Sequence, residues 1–71
     1  MNQWELYYII RKLNIKGQFT SRKLAEIIFS NKKVETSDIR KVNRYLNSLH
    51  KKGMIYKKIV RSNKVLYGPL V

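Results

Sequence analysis

Cysteine is absent from this 71-residue chain, histidine occurs once, at His50, and acidic residues number four. Each scarcity removes a class of answer. Without cysteine there is neither a disulfide framework nor a thiolate metal site. One imidazole cannot supply the several ligands of a zinc site. Glu5, Glu26, Glu35 and Asp38 are too few and too separated in the chain to suggest an acid/base pair. No Gly-rich phosphate loop is present, and a serine nucleophile would have only His50, inside a basic stretch, as its base. An enzyme is not expected, nor a metal, a cofactor or a small-molecule ligand.

Long hydrophobic runs are missing too. The longest, Leu6 to Ile10, is bracketed by Glu5 and Arg11 and is far too short to cross a bilayer. No signal peptide is visible, and a lack of cysteine fits a reducing compartment, so the expected location is cytoplasmic. The length predicts one domain, 1–71, near the smallest size that a hydrophobic core alone can stabilise.

What is abundant is positive charge. Sixteen Lys and Arg leave a net charge of +12 on a very small surface. Such a field repels itself, which favours a polyanionic partner: nucleic acid first, an anionic membrane second. A merely soluble surface would intersperse acidic residues more evenly.

Three helical patterns precede a change of period. Over Asn2–Asn14, Leu6, Ile9, Ile10 and Leu13 recur at helical spacing, and Gly17 follows as a stop. A short extended piece is expected at Gln18 and Phe19. A second helix begins at Thr20 or Ser21, with Leu24, Ile27 and Ile28 facing inward. Ser30 to Lys33 reads as a loop, with Val34 tucked under the core. The third helix, 36–52, takes its cap from Thr36 or Ser37, places Asp38 at the positive end of its dipole and stops at Gly53. Then Met54–Val60 and Val65–Leu70 read as a β-hairpin with Asn63 in its turn. Setting Val60 opposite Val65 would place Ile55, Ile59, Leu66 and Leu70 on one face.

Three segments carry a family resemblance. FTSRKLAEII (19–28) looks like the second-helix signature of winged helix-turn-helix transcriptional regulators. YLNSLHKKGMIYK (45–57) resembles the end of their recognition helix, and RSNKVLYGPL (61–70) is similar to a wing turn returning through an aromatic strand. The resemblance implies an α+β winged-helix fold, three helices followed by a C-terminal β-hairpin wing, with the third helix in the major groove of DNA. One departure is the connection from Phe29 to Glu35, longer than the tight turn of many members.

The third helix carries two stripes. At 3.6 residues per turn, Ile39, Val42, Leu46 and Leu49 fall on one side, with Tyr45 at the edge. Arg40, Arg44, Asn47 and Lys51 form another line, flanked by Ser37, Lys41 and Ser48. Arg can grip guanine O6 and N7, and Asn can grip adenine N6 and N7, each through two bonds, whereas Lys acts as a point charge toward phosphate. The competing view is a solvated charged face, and the alignment together with the charge excess favours the reader.

On the hairpin, Lys57, Lys58, Arg61 and Lys64 are expected to reach phosphates or a narrow minor groove, or simply to protect an edge strand. Thr20, Ser21, Arg22 and Lys23 offer a further phosphate contact at a helix N-terminus, with capping the plainer role for the two hydroxyls.

On the first helix, Trp4, Tyr7 and Tyr8 lie opposite the apolar stripe. They suit a homodimer interface, which would match a palindromic site. Alternatively Leu70-Val71 folds over Trp4, or the rings cover the hairpin edge. His50, at the margin of the core stripe, is expected to be a packing residue.

The expected function is sequence-preferring binding of double-stranded DNA by a nucleoid-associated transcriptional regulator. The alternative is a winged-helix module for RNA or a protein partner. A membrane-surface role is weaker, because the apolar stripes are narrow.

Overall fold

A computed structural model describes residues 2–12, 17–62 and 64–70. The expectations placed on Leu13, Asn14, Asn63 and Val71 lie outside the described residues. The chain is α+β: α1 (Gln3–Lys12), α2 (Ser21–Ile28) and α3 (Thr36–Lys51), then an antiparallel pair, β1 (Ile55–Arg61) and β2 (Lys64–Pro69).

α1 starts where the Asn2 side chain accepts the Glu5 N–H at 2.9 Å, and it buries Leu6 and Ile10. Two of the expected assignments on α1 change. Ile9 is only half-buried and lines a groove with Trp4 and Tyr8. Tyr7 packs against the core, and its hydroxyl accepts from Arg11 at 3.3 Å, so it does not belong to the exposed aromatic face. Tyr7 and Ile9 lie about 80° to either side of the line between Leu6 and Ile10, so the elements packed against α1 decide which of the two is covered.

Gly17 has φ of +80°, where glycine is favoured. Phe19 then pairs with Tyr67 through two backbone hydrogen bonds of 2.9 and 2.8 Å, the short extended piece the sequence predicts. Thr20 caps α2 by accepting the Lys23 N–H at 3.1 Å. Leu24 and Ala25 are buried and Ile28 half-buried, but Ile27 is exposed, against expectation. Eight residues make just over two turns, and the side of α2 that packs on α3 takes Leu24 and Ala25. The connection to α3 is held by Phe29 and Val34, both packed on the core.

The cap of α3 is Glu35 rather than Thr36 or Ser37. Asp38 accepts the Glu35 N–H at 3.0 Å and pairs with Lys32 at 3.1 Å. The far end closes in a Schellman motif: Gly53 N–H donates to His50 O and Met54 N–H to Leu49 O, with Gly53 at φ +75°. Between the ends, Val42, Leu46 and Leu49 are fully buried, and Ile39 and Tyr45 flank them against the core. His50 is exposed rather than packed, its Nδ1 3.3 Å from the Ile55 carbonyl.

The hairpin register differs from the expected one. Ile59 pairs with Val65 and Arg61 with Lys64, leaving Val60 as an extra, bulged residue. Ile55, Lys57 and Ile59 therefore share a face with Pro69, Tyr67 and Val65, and Leu66 lies on the other side beside Lys58. Ile55 and Tyr67 are buried, whereas Ile59 and Leu70 are exposed. On the outer face, Tyr56 lies so close over Gly68 that an added Cβ would come within 2.4 Å of its ring.

The Asp38 contacts carry a pH dependence. The Glu35 N–H, and then Lys32, hold the carboxyl below its ordinary value of 3.8. A depressed carboxyl stabilises the fold fully above its unfolded value, and that contribution is lost as pH falls through the folded one. Unfolding followed at a series of pH values should show a loss below pH 3.8 that is smaller in Asp38→Asn. Identical acid profiles for the two proteins would remove Asp38 from the cap.

Candidate nucleic-acid interface

Burial of Val42, Leu46 and Leu49 turns the opposite side of α3 to solvent. Arg40, Lys41, Arg44 and Lys51 are all exposed there. The single ion pair among the described residues is Lys32–Asp38; Asp38 also attracts Lys41 at the first turn, while Arg40, Arg44 and Lys51 have no ion-paired carboxylate among the described residues. Arg40 and Arg44 line two adjoining grooves. One also includes Asn43, Asn47, Ser48 and Lys51; the other includes Thr36, Ser37 and Lys41.

A third groove, of about 300 Å³, joins the elements that the sequence could only treat separately. It is lined by Thr20, Ser21 and Arg22 of the α2 start, Asn43 of α3, and Ser62, Lys64 and Val65 of the hairpin. Asn43 borders this groove and the central one, so the α2 N-terminus, the middle of α3 and the hairpin end form one continuous surface. Arg61, paired with Lys64, is exposed at the same end of the hairpin, and Lys23 is exposed on α2.

Five predicted contacts are placed differently. Asn47 is half-buried, and its Oδ1 accepts from Lys57 Nζ at 2.9 Å and from the Tyr67 hydroxyl at 3.1 Å. An ammonium only donates, so the atom facing Lys57 must be the amide oxygen. The two-bond grip on adenine needs that oxygen, and the role is withdrawn. Lys57 itself is half-buried against α3, 5.9 Å from the centre of the Tyr67 ring, rather than free at the turn. Ser21 is buried and donates to Asn43 Oδ1 at 2.8 Å. Ser48 donates to Gln3 Oε1 and accepts from Lys52, which turns its hydroxyl toward α1. Lys58 is exposed, but it projects from the face of the ribbon opposite to Lys57.

Asn43 and Tyr67 were missed. Asn43 lies three residues after Arg40 and four before Asn47, so its place on the face was readable from helical spacing. Tyr67 could not be found that way. It is the largest fully buried side chain, and its hydroxyl stands 3.1 Å from both Asn43 Oδ1 and Asn47 Oδ1, one proton shared between two acceptors. Burial raises its phenol above the ordinary value of 10.0 against the opposing pull of the Asn47 hydrogen bond, so it remains a neutral donor.

Trp4 and Tyr8 are half or more exposed and line a groove with Asn2, Glu5 and Ile9. Lys12 Nζ stands 5.5 Å from the centre of the Tyr8 ring.

Among the described residues, no group of three or more His, Cys, Asp or Glu side chains could hold a metal ion, and no helix is long and apolar enough to cross a membrane. No family model, curated protein or solved structure matches this chain.

Proposed function

We propose that the chain is a winged helix-turn-helix domain that binds double-stranded DNA with a sequence preference, as a transcriptional regulator in the cytoplasm. The observation that carries the reading is the convergence of Arg40, Arg44 and Lys51 with the α2 start and Lys64 on one surface, none of these cations being ion-paired among the described residues. The element order α1, Phe19, α2, α3, hairpin supports the winged form, because the Phe19 bridge to Tyr67 ties the start of α2 to β2. In this geometry α3 enters the major groove. Thr20, Arg22 and Lys23 meet a phosphate, while Arg61 and Lys64 follow the backbone or the minor groove. The deep, narrow major groove of an RNA duplex would not admit α3, so competition between DNA and RNA duplexes at near-physiological salt tests the reading. Equal or tighter binding of RNA would replace it with the RNA-module alternative.

A homodimer through α1 accompanies this proposal. Trp4, Glu5, Tyr8, Ile9 and Lys12 share one side of the helix. The first turn is acidic at Glu5 and the last is basic at Arg11 and Lys12. Two copies packed antiparallel about Tyr8 would set each Trp4 against the other's Lys12 and bring opposite charges together. Two equal DNA half-sites follow from that symmetry.

Arg44→Ala should cost about 1–3 kcal/mol of DNA affinity and relax selection at one base pair. Equal losses on every sequence would reassign Arg44 to a phosphate. Lys64→Ala should weaken all sequences alike and lower the slope of log K against log salt by about one unit; an unchanged slope would take the hairpin out of the interface. In sedimentation, the parent should have twice the mass of Trp4→Ala/Tyr8→Ala, and matching masses would end the dimer proposal.

A further inference from the structure

We infer, on the basis of the DNA-binding reading, that α3 from Arg40 to Lys51 presents a donor-only surface, which selects guanine and disfavours adenine beneath Asn47. Arg40, Arg44 and Lys51 carry no acceptor by their chemistry. Asn47 could supply one, but its oxygen is held by Lys57 and Tyr67. Lys57 takes one lone pair of the carbonyl outright, and the single Tyr67 proton, shared with Asn43, lies against the other, so the Nδ2 hydrogens are what the amide offers a ligand. Asn43 also directs its oxygen inward, to Ser21 and Tyr67. The hydroxyls of Thr36 and Ser37 border the adjoining groove at the first turn of α3, and the Ser48 hydroxyl donates to Gln3 and accepts from Lys52.

The major groove makes this one-sidedness selective. Guanine presents two acceptors, N7 and O6. Adenine pairs an acceptor with the N6 donor, cytosine presents the N4 donor, and thymine has a single acceptor beside a methyl group. A donor set facing adenine N6 or cytosine N4 buries two donors against each other, and neither finds a partner. The hairpin thus acts on specificity without touching a base: Lys57 decides which half of the Asn47 amide is offered. Lys57 and Tyr67 are positioning residues here, and Asn47 is the reader.

The test starts from a site selected by the full chain from random duplex DNA. Replacing its contacted guanines with 7-deazaguanine removes N7 and should weaken binding about fivefold per base. Inosine keeps both major-groove acceptors and should have little effect. In Lys57→Met/Tyr67→Phe the Asn47 oxygen is released, and selection should now enrich adenine at one position. Should that variant lose its cooperative melting transition, Lys57→Met alone, which leaves the buried ring in place, should show the same change in smaller degree. Adenine already enriched beneath Asn47 in the parent, or duplex binding indifferent to 7-deazaguanine, would overturn the donor-only surface and leave the DNA-binding reading standing. Failure to bind any duplex, even at low salt, would overturn both.

Discussion

Burial of one stripe of α3 is the constraint on which the rest of this molecule depends. Val42, Leu46 and Leu49 lose essentially all solvent exposure, and burying such a side chain is worth roughly 1.5–3 kcal/mol. Against a net stability of roughly 5–15 kcal/mol, losing even one of them is a large change. No disulfide contributes; hydrogen bonds joining Asn43, Asn47 and Ser48 to neighbouring elements add to the packing. The rotation that buries these residues necessarily exposes Arg40, Arg44 and Lys51. Packing thus sets which way the charge faces.

Tyr67 converts the hairpin from an appendage into part of the same surface. Its backbone pairs with Phe19, its strand with β1, its ring fills the core and its hydroxyl reaches two asparagines of α3. A polar tip on an apolar body can be buried only where the tip finds partners. Asn43 and Asn47 meet that need, and Lys57 completes the set on Asn47. On the proposed reading, the residues that join the hairpin to the helix also tune what the helix can recognise.

The three helices were legible because their signals are local. Helical period, a capping residue and a glycine stop all act within a few residues, and the observed helices begin and end close to the expected places. Local reasoning failed where a residue's fate depends on distant neighbours. Thr36 and Ser37 looked like caps, yet Glu35 with Asp38 satisfies the helix start. Ile27 looked like core, but the short α2 already fills its contact with Leu24 and Ala25. Tyr7 looked exposed and is packed, while Ile9 looked buried and shares a groove with Trp4 and Tyr8.

By itself the sequence determined the charge excess, the element order and which face of α3 would be apolar, since each follows from composition or from a period repeated along one helix. Only the tertiary structure decided the hairpin register, because one bulged residue at Val60 exchanges the two faces of a ribbon. It also decided the use of Asn47. A carboxamide can offer either end to a ligand, and which end remains is set by the Lys57 ammonium and Tyr67 hydroxyl that folding brings beside it.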